Sequence, residues 1–205
     1  MVRPGIHAGA QINIALVHYP VHNRRGEIIG SAVTNLDIHD IARISRTYGI
    51  NRFYLVTPYQ DQQRLVAELL AHWLSGRGGE LNPTRKAALE LVKVAPDLAT
   101  LYAELGALQE QSHQISQRPQ GPRNPLILAT SAMVQSRTMA YDQARQRLAA
   151  GDQILILFGT ASGLAPAAMA EVDAFLPPID GVDAYNYLPV RAAVAIILDR
   201  LLRSW

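Results

Sequence analysis

The chain of 205 residues has no cysteine, which excludes disulfide staples and cysteine-ligated zinc. It has no apolar run near the roughly 18 residues that a membrane helix needs. Its most apolar C-terminal segment is broken by Arg191, Asp199 and Arg200. The first residues lack a charged stretch followed by a long apolar one, so no secretory signal is expected. A cytoplasmic protein is the default. No block of like charge occurs, which excludes a basic or acidic tail. The formal net charge of +2 is a weak attraction for a polyanion. Lysine is nearly missing too: only Lys86 and Lys93 occur, and the rest of the 19 basic residues are arginine. The planar fork of arginine suits phosphate, although codon bias in an alanine- and arginine-rich chain gives the same composition.

Familiar motifs are also missing. The first strand runs into Val17-His18-Tyr19-Pro20 with no G-x-G-x-x-G, so a dinucleotide-binding fingerprint is excluded. No G-x-x-x-x-G-K-[ST] and no H-E-x-x-H occurs, which removes P-loop nucleotide hydrolases and zinc proteases. Gly159-Thr160-Ala161-Ser162-Gly163 places its serine one position too late for a nucleophile elbow.

What is present is an apolar fraction of 49%, ample for a core, laid out as alternating strand and helix patterns. Strands are expected at 12–17, 52–57, 91–95, 126–130, 153–157 and 174–176. Helices are expected at 36–48, 61–74, 84–91, 98–111, 141–150, 165–172 and 189–202. Residues 23–34 and 76–83 read as loops, residues 1–11 as a flexible N-terminus, and 111–124 as a surface loop of low apolarity. Strands separated by helices predict an α/β fold in one domain, a parallel sheet flanked by helices.

Glycine and proline of the last third gather after strands, where open α/β sheets bind small ligands. Three segments stand out: Phe158-Gly159-Thr160-x-x-Gly163-Leu164, Pro178-Ile179-Asp180-Gly181, and Tyr187-Leu188-Pro189-Val190-Arg191-Ala192-Ala193. Upstream, Asn35-Leu36-Asp37-Ile38-His39-Asp40-Ile41-Ala42-Arg43 leads to Thr47-Tyr48-Gly49. In this order and spacing the segments resemble the motifs of the SPOUT class of RNA methyltransferases. With His18-Tyr19-Pro20-Val21, they resemble its small bacterial family of S-adenosylmethionine-dependent RNA methyltransferases.

The resemblance implies a SPOUT-like fold with a C-terminal trefoil knot and a homodimer packed through its first and last helices. It implies S-adenosylmethionine as cofactor, S-adenosylhomocysteine as product, and ribosomal or transfer RNA as partner. Methyl transfer then goes to a nucleotide oxygen or nitrogen. The alternative is a catalytically silent SPOUT-fold protein that binds the cofactor or RNA. The cofactor residues would be Leu128, Ala129, Thr130, Phe158, Gly159, Thr160, Gly163, Leu164, Ile179, Gly181, Tyr187, Leu188 and Val190. Glycines here either admit close backbone approach or merely shape turns. Ala161-Ser162 and Pro189 depart from the family pattern, and Pro189 removes a backbone N–H from the pocket rim.

For catalysis the resemblance points first to Arg43, which otherwise reads as a surface arginine, and then to Asn35, Asp37 and Asp40. The last three are also ordinary first-turn and N-cap residues. Arg24, Arg25, His18, Arg46 and Arg191 are candidate RNA contacts. A metal site from His18, His22, His39, Asp37 and Asp40 is not expected, because helical spacing does not bring Asp37, His39 and Asp40 to one face.

Overall fold

Residues 11–116, 125–183 and 185–203 are described by the computed structural model. Strand β1 (Gln11–Val17) is buried along nearly its whole length. It is followed by a small antiparallel pair, β2 (Val21–His22) and β3 (Ile28–Ile29). Then come α1 (Asn35–Thr47), β4 (Arg52–Val56), α2 (Gln60–Leu74), α3 (Arg77–Leu81), α4 (Pro83–Leu89) and β5 (Val92–Ala95). The second half holds α5 (Leu98–Ser116), β6 (Leu126–Ala129), α6 (Tyr141–Ala149), β7 (Gln153–Gly159), α7 (Pro166–Ala170), β8 (Ala174–Phe175) and α8 (Val190–Leu202).

The main sheet has six strands in the order β5-β4-β1-β7-β6-β8, and every pairing is parallel. Continuous apolar runs such as Ile154-Leu155-Ile156-Leu157-Phe158 follow from this, since both faces of a parallel sheet are covered. Ile12, Ile14, Leu16, Ile154, Ile156 and Phe158 join Ile38 and Ile41 of α1 and Val194, Ile197, Leu198 and Leu201 of α8 in one layer. Ala15, Val17, Leu155 and Leu157 join Leu101 and Leu105 of α5 and Ala168 of α7 in the other. Because the strands are parallel, the ends of β1, β6, β7 and β8 all lie on one edge.

The expected elements are present, with four differences. The 76–83 loop contains helix α3. Its glycines serve close packing: a Cβ on Gly79 would lie 2.2 Å from the Trp73 carbonyl oxygen, and one on Gly78 2.7 Å from the His72 ring. Helix α4 starts at Pro83, one residue before the expected 84, and is capped by Asn82, whose side chain accepts from the Arg85 amide. Helix α5 continues through Ser116, so the first part of the 111–124 segment, 111–116, is helical rather than loop. The 23–34 loop carries β3. The expected flexible N-terminus, apart from Gln11, and the remainder of the 111–124 loop lie outside the described residues. No helix among the described residues is long and apolar enough to cross a membrane.

Candidate functional site

At the common edge the segment after β7 is knitted to the chain leaving β1. Amides of Thr160, Ser162 and Ala165 donate to the carbonyls of Val17, His22 and Pro20, and the His22 amide donates to Gly163. Two glycines are required by this closure. A Cβ on Gly159 would stand 2.6 Å from the Leu164 amide nitrogen, and Gly163 has φ +119°. Ala161 has φ +52°, a left-handed conformation that costs an L-residue about 1 kcal/mol. The Ala161 departure noted in the sequence is therefore a point of strain. Ala161→Gly is expected to raise stability by about 1 kcal/mol, seen as a higher urea midpoint at unchanged slope.

Thr130, just past β6, donates both its amide and its hydroxyl to the Leu157 carbonyl, at 3.1 and 3.2 Å. The segment after β8 crosses this edge, and Asn186 donates to the Ala132 carbonyl at 2.9 Å. Tyr185 and Tyr187, both exposed, meet edge-to-face at 5.2 Å. Ile179 and Val190 pack partly against the core, and Leu188 is partly exposed. Pro189 is the N-cap of α8 and makes no side-chain cap bond, while its carbonyl accepts from Ala192 and Ala193.

The structure divides the expected cofactor residues. Leu128, Ala129, Phe158 and Leu164 are buried in the two apolar layers, so their side chains are committed to the core and do not wall a ligand. What they offer at the strand ends is backbone. Thr130, Gly159, Thr160, Gly163, Ile179, Gly181, Tyr187, Leu188 and Val190 are partly or fully exposed.

A hydrogen-bond relay joins this edge to α1, and its directions can be deduced. The Thr160 hydroxyl donates to the Val17 carbonyl at 2.9 Å, which uses its only proton. The Ser31 hydroxyl, 2.5 Å from Thr160 Oγ1, must then be the donor in that contact. Nδ1 of His18, 2.9 Å from Ser31 Oγ, must in turn carry the proton. His18 is thereby set as the Nδ1–H tautomer, and its buried Nε2 has no partner among the described residues. Burial pushes its pKa down from the ordinary 6.5 to about 4, against the opposing effects of Asp37 and Ser31. His18 is wholly buried, so it is not the surface RNA contact expected from the sequence.

Helix α1 is capped by Thr34, not by Asn35 or Asp37. Thr34 Oγ1 accepts from the Asp37 amide and donates to Asp37 Oδ2 at 2.6 Å. The other Asp37 oxygen accepts from Arg191 Nη1 at 3.0 Å, and Arg191 Nε lies 3.2 Å from Asp40 Oδ2. Asp37 and Asp40 therefore bind and orient an arginine instead of standing free as proton acceptors. Arg191, expected to reach RNA, is held between α8 and α1. Arg43 and Arg46 are exposed on α1, and Asn35 is exposed at its start.

Arg24 and Arg25 are exposed at the β2–β3 turn, which Asn23 shapes by accepting from the Arg25 and Glu27 amides. The Thr34-x-x-Asp37 spacing is a capping signal that sequence reasoning passed over. Nothing in the sequence marks Ser31.

A family model described as SAM-dependent RNA methyltransferase matches residues 11–203. A protein of Oleidesulfovibrio alaskensis named tRNA (guanine-N(1)-)-methyltransferase is 41% identical over 95% of this chain, but over 42% of its own length. The chain thus spans less than half of that relative. An uncharacterized protein of Aquifex aeolicus is 38% identical over 92% of this chain and 86% of its own. Among solved structures, a methylase family protein of Neisseria gonorrhoeae has a TM-score of 0.61 at 15% identity, covering 98% of this chain and 85% of its own. The SpoU methyltransferase AviRb of Streptomyces viridochromogenes, solved with AdoMet, has a TM-score of 0.56 at 12% identity, covering 95% and 58%. At these identities the structures show the fold, the parallel sheet of the SPOUT methyltransferases.

Proposed function

The chain belongs to the SAM-dependent RNA methyltransferase family, and we propose that it transfers methyl to a nucleotide of transfer or ribosomal RNA through the edge described above. The observation that carries this reading is the convergence of the β6, β7 and β8 exits on one edge, bound through Thr160, Ser31 and His18 to the chain entering α1. Residues 11–203 act as one unit in this reading, with the C-terminal loops folded as the trefoil knot that the resemblance implies.

The donor set fits S-adenosylmethionine. The edge offers hydroxyl oxygens that can still accept, an apolar rim of Ile179, Leu188 and Val190, and the exposed carboxylates Asp180 and Asp183 for a cationic ligand. When bound, the cofactor supplies a methyl group on a positively charged sulfur, ready for in-line displacement. The protein holds the acceptor in line and shifts its proton. Arg43 orients the acceptor or its phosphate. Asn35 stands at the helix start nearer the edge, and Arg24, Arg25 and Arg46 hold the RNA backbone.

Arg43 lies eight positions beyond Asn35, about 12 Å along the helix axis. In the homodimer that the resemblance implies, the loops it serves are those of a second copy. The half-exposed Ala192, Ala193 and Ile196 of α8, beside α1, are the face for that dimer. Sedimentation should give a mass near twice 22.5 kDa. Guanine N1 of transfer RNA, named for the O. alaskensis protein, is one candidate acceptor and a ribose hydroxyl the other. Both carry a proton that must leave.

Calorimetric titration with S-adenosylmethionine is expected to show saturable binding with a dissociation constant on the order of micromolar. No heat at millimolar ligand would overturn the cofactor assignment. A labelled-methyl assay on RNA from cells lacking the gene then identifies the acceptor. Cofactor binding without transfer to any such RNA would leave a silent binding protein.

A further inference from the structure

We propose that the cleft between α1, α2 and α4 takes an unpaired nucleotide of an RNA strand, seated against Arg85 and His72 away from the point of methyl transfer. The inference rests on the reading that this chain acts on RNA. The cleft has a volume of about 550 Å³; Asn35 stands at its α1 end, and Leu36, His39, Asp40, His72, Trp73 and Arg85 form the rest of the wall that the nucleotide would meet. The Arg85 guanidinium lies over the Trp73 ring at 5.2 Å. His39 and His72 meet the same indole edge-on at 5.4 and 5.3 Å. The indole thus holds a guanidinium and two imidazoles around one opening.

The state of these nitrogen groups points to the ligand. Among the described residues the Arg85 side chain has no carboxylate or carbonyl partner; it lies over the indole face and acts on the charge of His39. His39 Nδ1 is buried without a hydrogen bond. The carboxylate in the wall, Asp40, shares Arg191 with Asp37, so its charge is only partly offset and the cations of the cleft are set against it. Burial first, then the neighbouring Arg85, hold the His39 pKa below the ordinary value; Asp40 opposes this and Arg43 adds to it. Leu36, 63% exposed, adds an apolar rim.

A second cleft of about 410 Å³ provides the contrast. There Arg137 donates to the Val172 and Met169 carbonyls and Arg147 pairs with Asp152, so its cations serve the fold. An unpartnered ring nitrogen and a cation set on an aromatic platform match an anionic ligand with a flat ring, which is a nucleotide. A duplex buries its base faces, so the nucleotide is unpaired. Positions 36, 39, 43 and 46 follow helical spacing on α1, so a strand lying in the cleft continues along the helix towards Arg43.

The test uses tryptophan fluorescence. Trp73 and Trp205 are the two tryptophans, so the full chain carrying Trp205→Phe reports on Trp73 alone. A single-stranded RNA 12-mer of mixed sequence is expected to quench Trp73 saturably. Arg85→Ala should weaken the titration about tenfold and His72→Ala about threefold. Arg85→Lys, which keeps the charge and loses the plane, should stay within about twofold of Arg85→Ala. Arg77→Ala on α3, outside the cleft, should leave it within about twofold, and the same sequence as a duplex should bind at least about tenfold more weakly.

Absent quenching, full recovery with lysine, or equal binding of duplex would each overturn the proposal. S-adenosylmethionine titration of the same samples keeps the two readings apart and shows that the variants are folded. Cofactor binding without quenching sinks the cleft alone. Quenching without cofactor binding sinks the methyltransferase reading alone.

Discussion

Arg43→Ala is expected to lower methyl transfer at least about 100-fold while leaving S-adenosylmethionine affinity within about threefold. The side chain is exposed, and among the described residues it carries no ion pair. Its removal therefore opens no hole in the core and breaks no structural contact, and the loss reports on chemistry or acceptor placement. If Arg43 serves the loops of a second copy, activity can also be restored between variants. A mixture of Arg43→Ala with a chain damaged at the edge, such as Gly181→Val, should regain about a quarter of wild-type activity. Half of the dimers are mixed, and each of those has one intact site. A Cβ at Gly181 would stand 2.6 Å from the Tyr185 carbonyl oxygen, which is why that substitution disturbs the loop. Transfer at the wild-type rate by Arg43→Ala would remove the arginine from the mechanism. An inactive mixture would remove the second copy.

The second large effect is expected at His18. Its pKa is about 4 in the folded protein against 6.5 when free, because burial penalises the charged ring. The unfolded chain therefore binds the extra proton first. The contribution of His18 to stability is complete above pH 6.5 and is lost as pH falls from 6.5 towards 4. The full loss is on the order of 3 kcal/mol. Urea midpoints at pH 7.5 and 4.5 should differ strongly in the wild type and much less in His18→Asn, which does not titrate.

The asparagine variant also separates two roles. Its amide reaches the Nδ1 position and keeps a donor to Ser31, so it preserves the relay to Thr160 while removing Nε2. Cofactor affinity within about threefold of wild type would assign His18 to support of the loop. A loss of tenfold or more would show that Nε2 itself is needed. A wild-type stability that is flat between the two pH values would contradict the buried neutral imidazole.

Much of the fold was legible because its signals are local. The apolar run at β7, the 3.6-residue stripe of α1 and the proline before α8 each follow from short-range patterning. The order of the three C-terminal segments and the Asn35–Arg43 stretch carried the family. Errors arose where a local signal has two causes. Gly78 and Gly79 read as turn formers, yet they let α3 pack on the end of α2. The glutamine-rich stretch read as loop, yet α5 runs on to Ser116. Leu128 and Phe158 belong to the right segments, but their side chains face the core.

The sequence by itself determined the class of fold, the absence of thiol chemistry, the position of the loops at strand ends and the place of Arg43 on the exposed side of its helix. These depend on residue type and on spacing within one element. Only the tertiary structure decided what the polar side chains do. Ser31 and Thr160 are 129 positions apart, and Asp37 and Arg191 are 154 apart. Hydrogen bonds of that separation exist only once the sheet has brought the strand ends together. The tautomer of His18, the engagement of Arg191 and the Arg85–Trp73 cleft follow from that assembly. Periodicity along the chain reports which face of an element is buried, not which distant residue will stand opposite it.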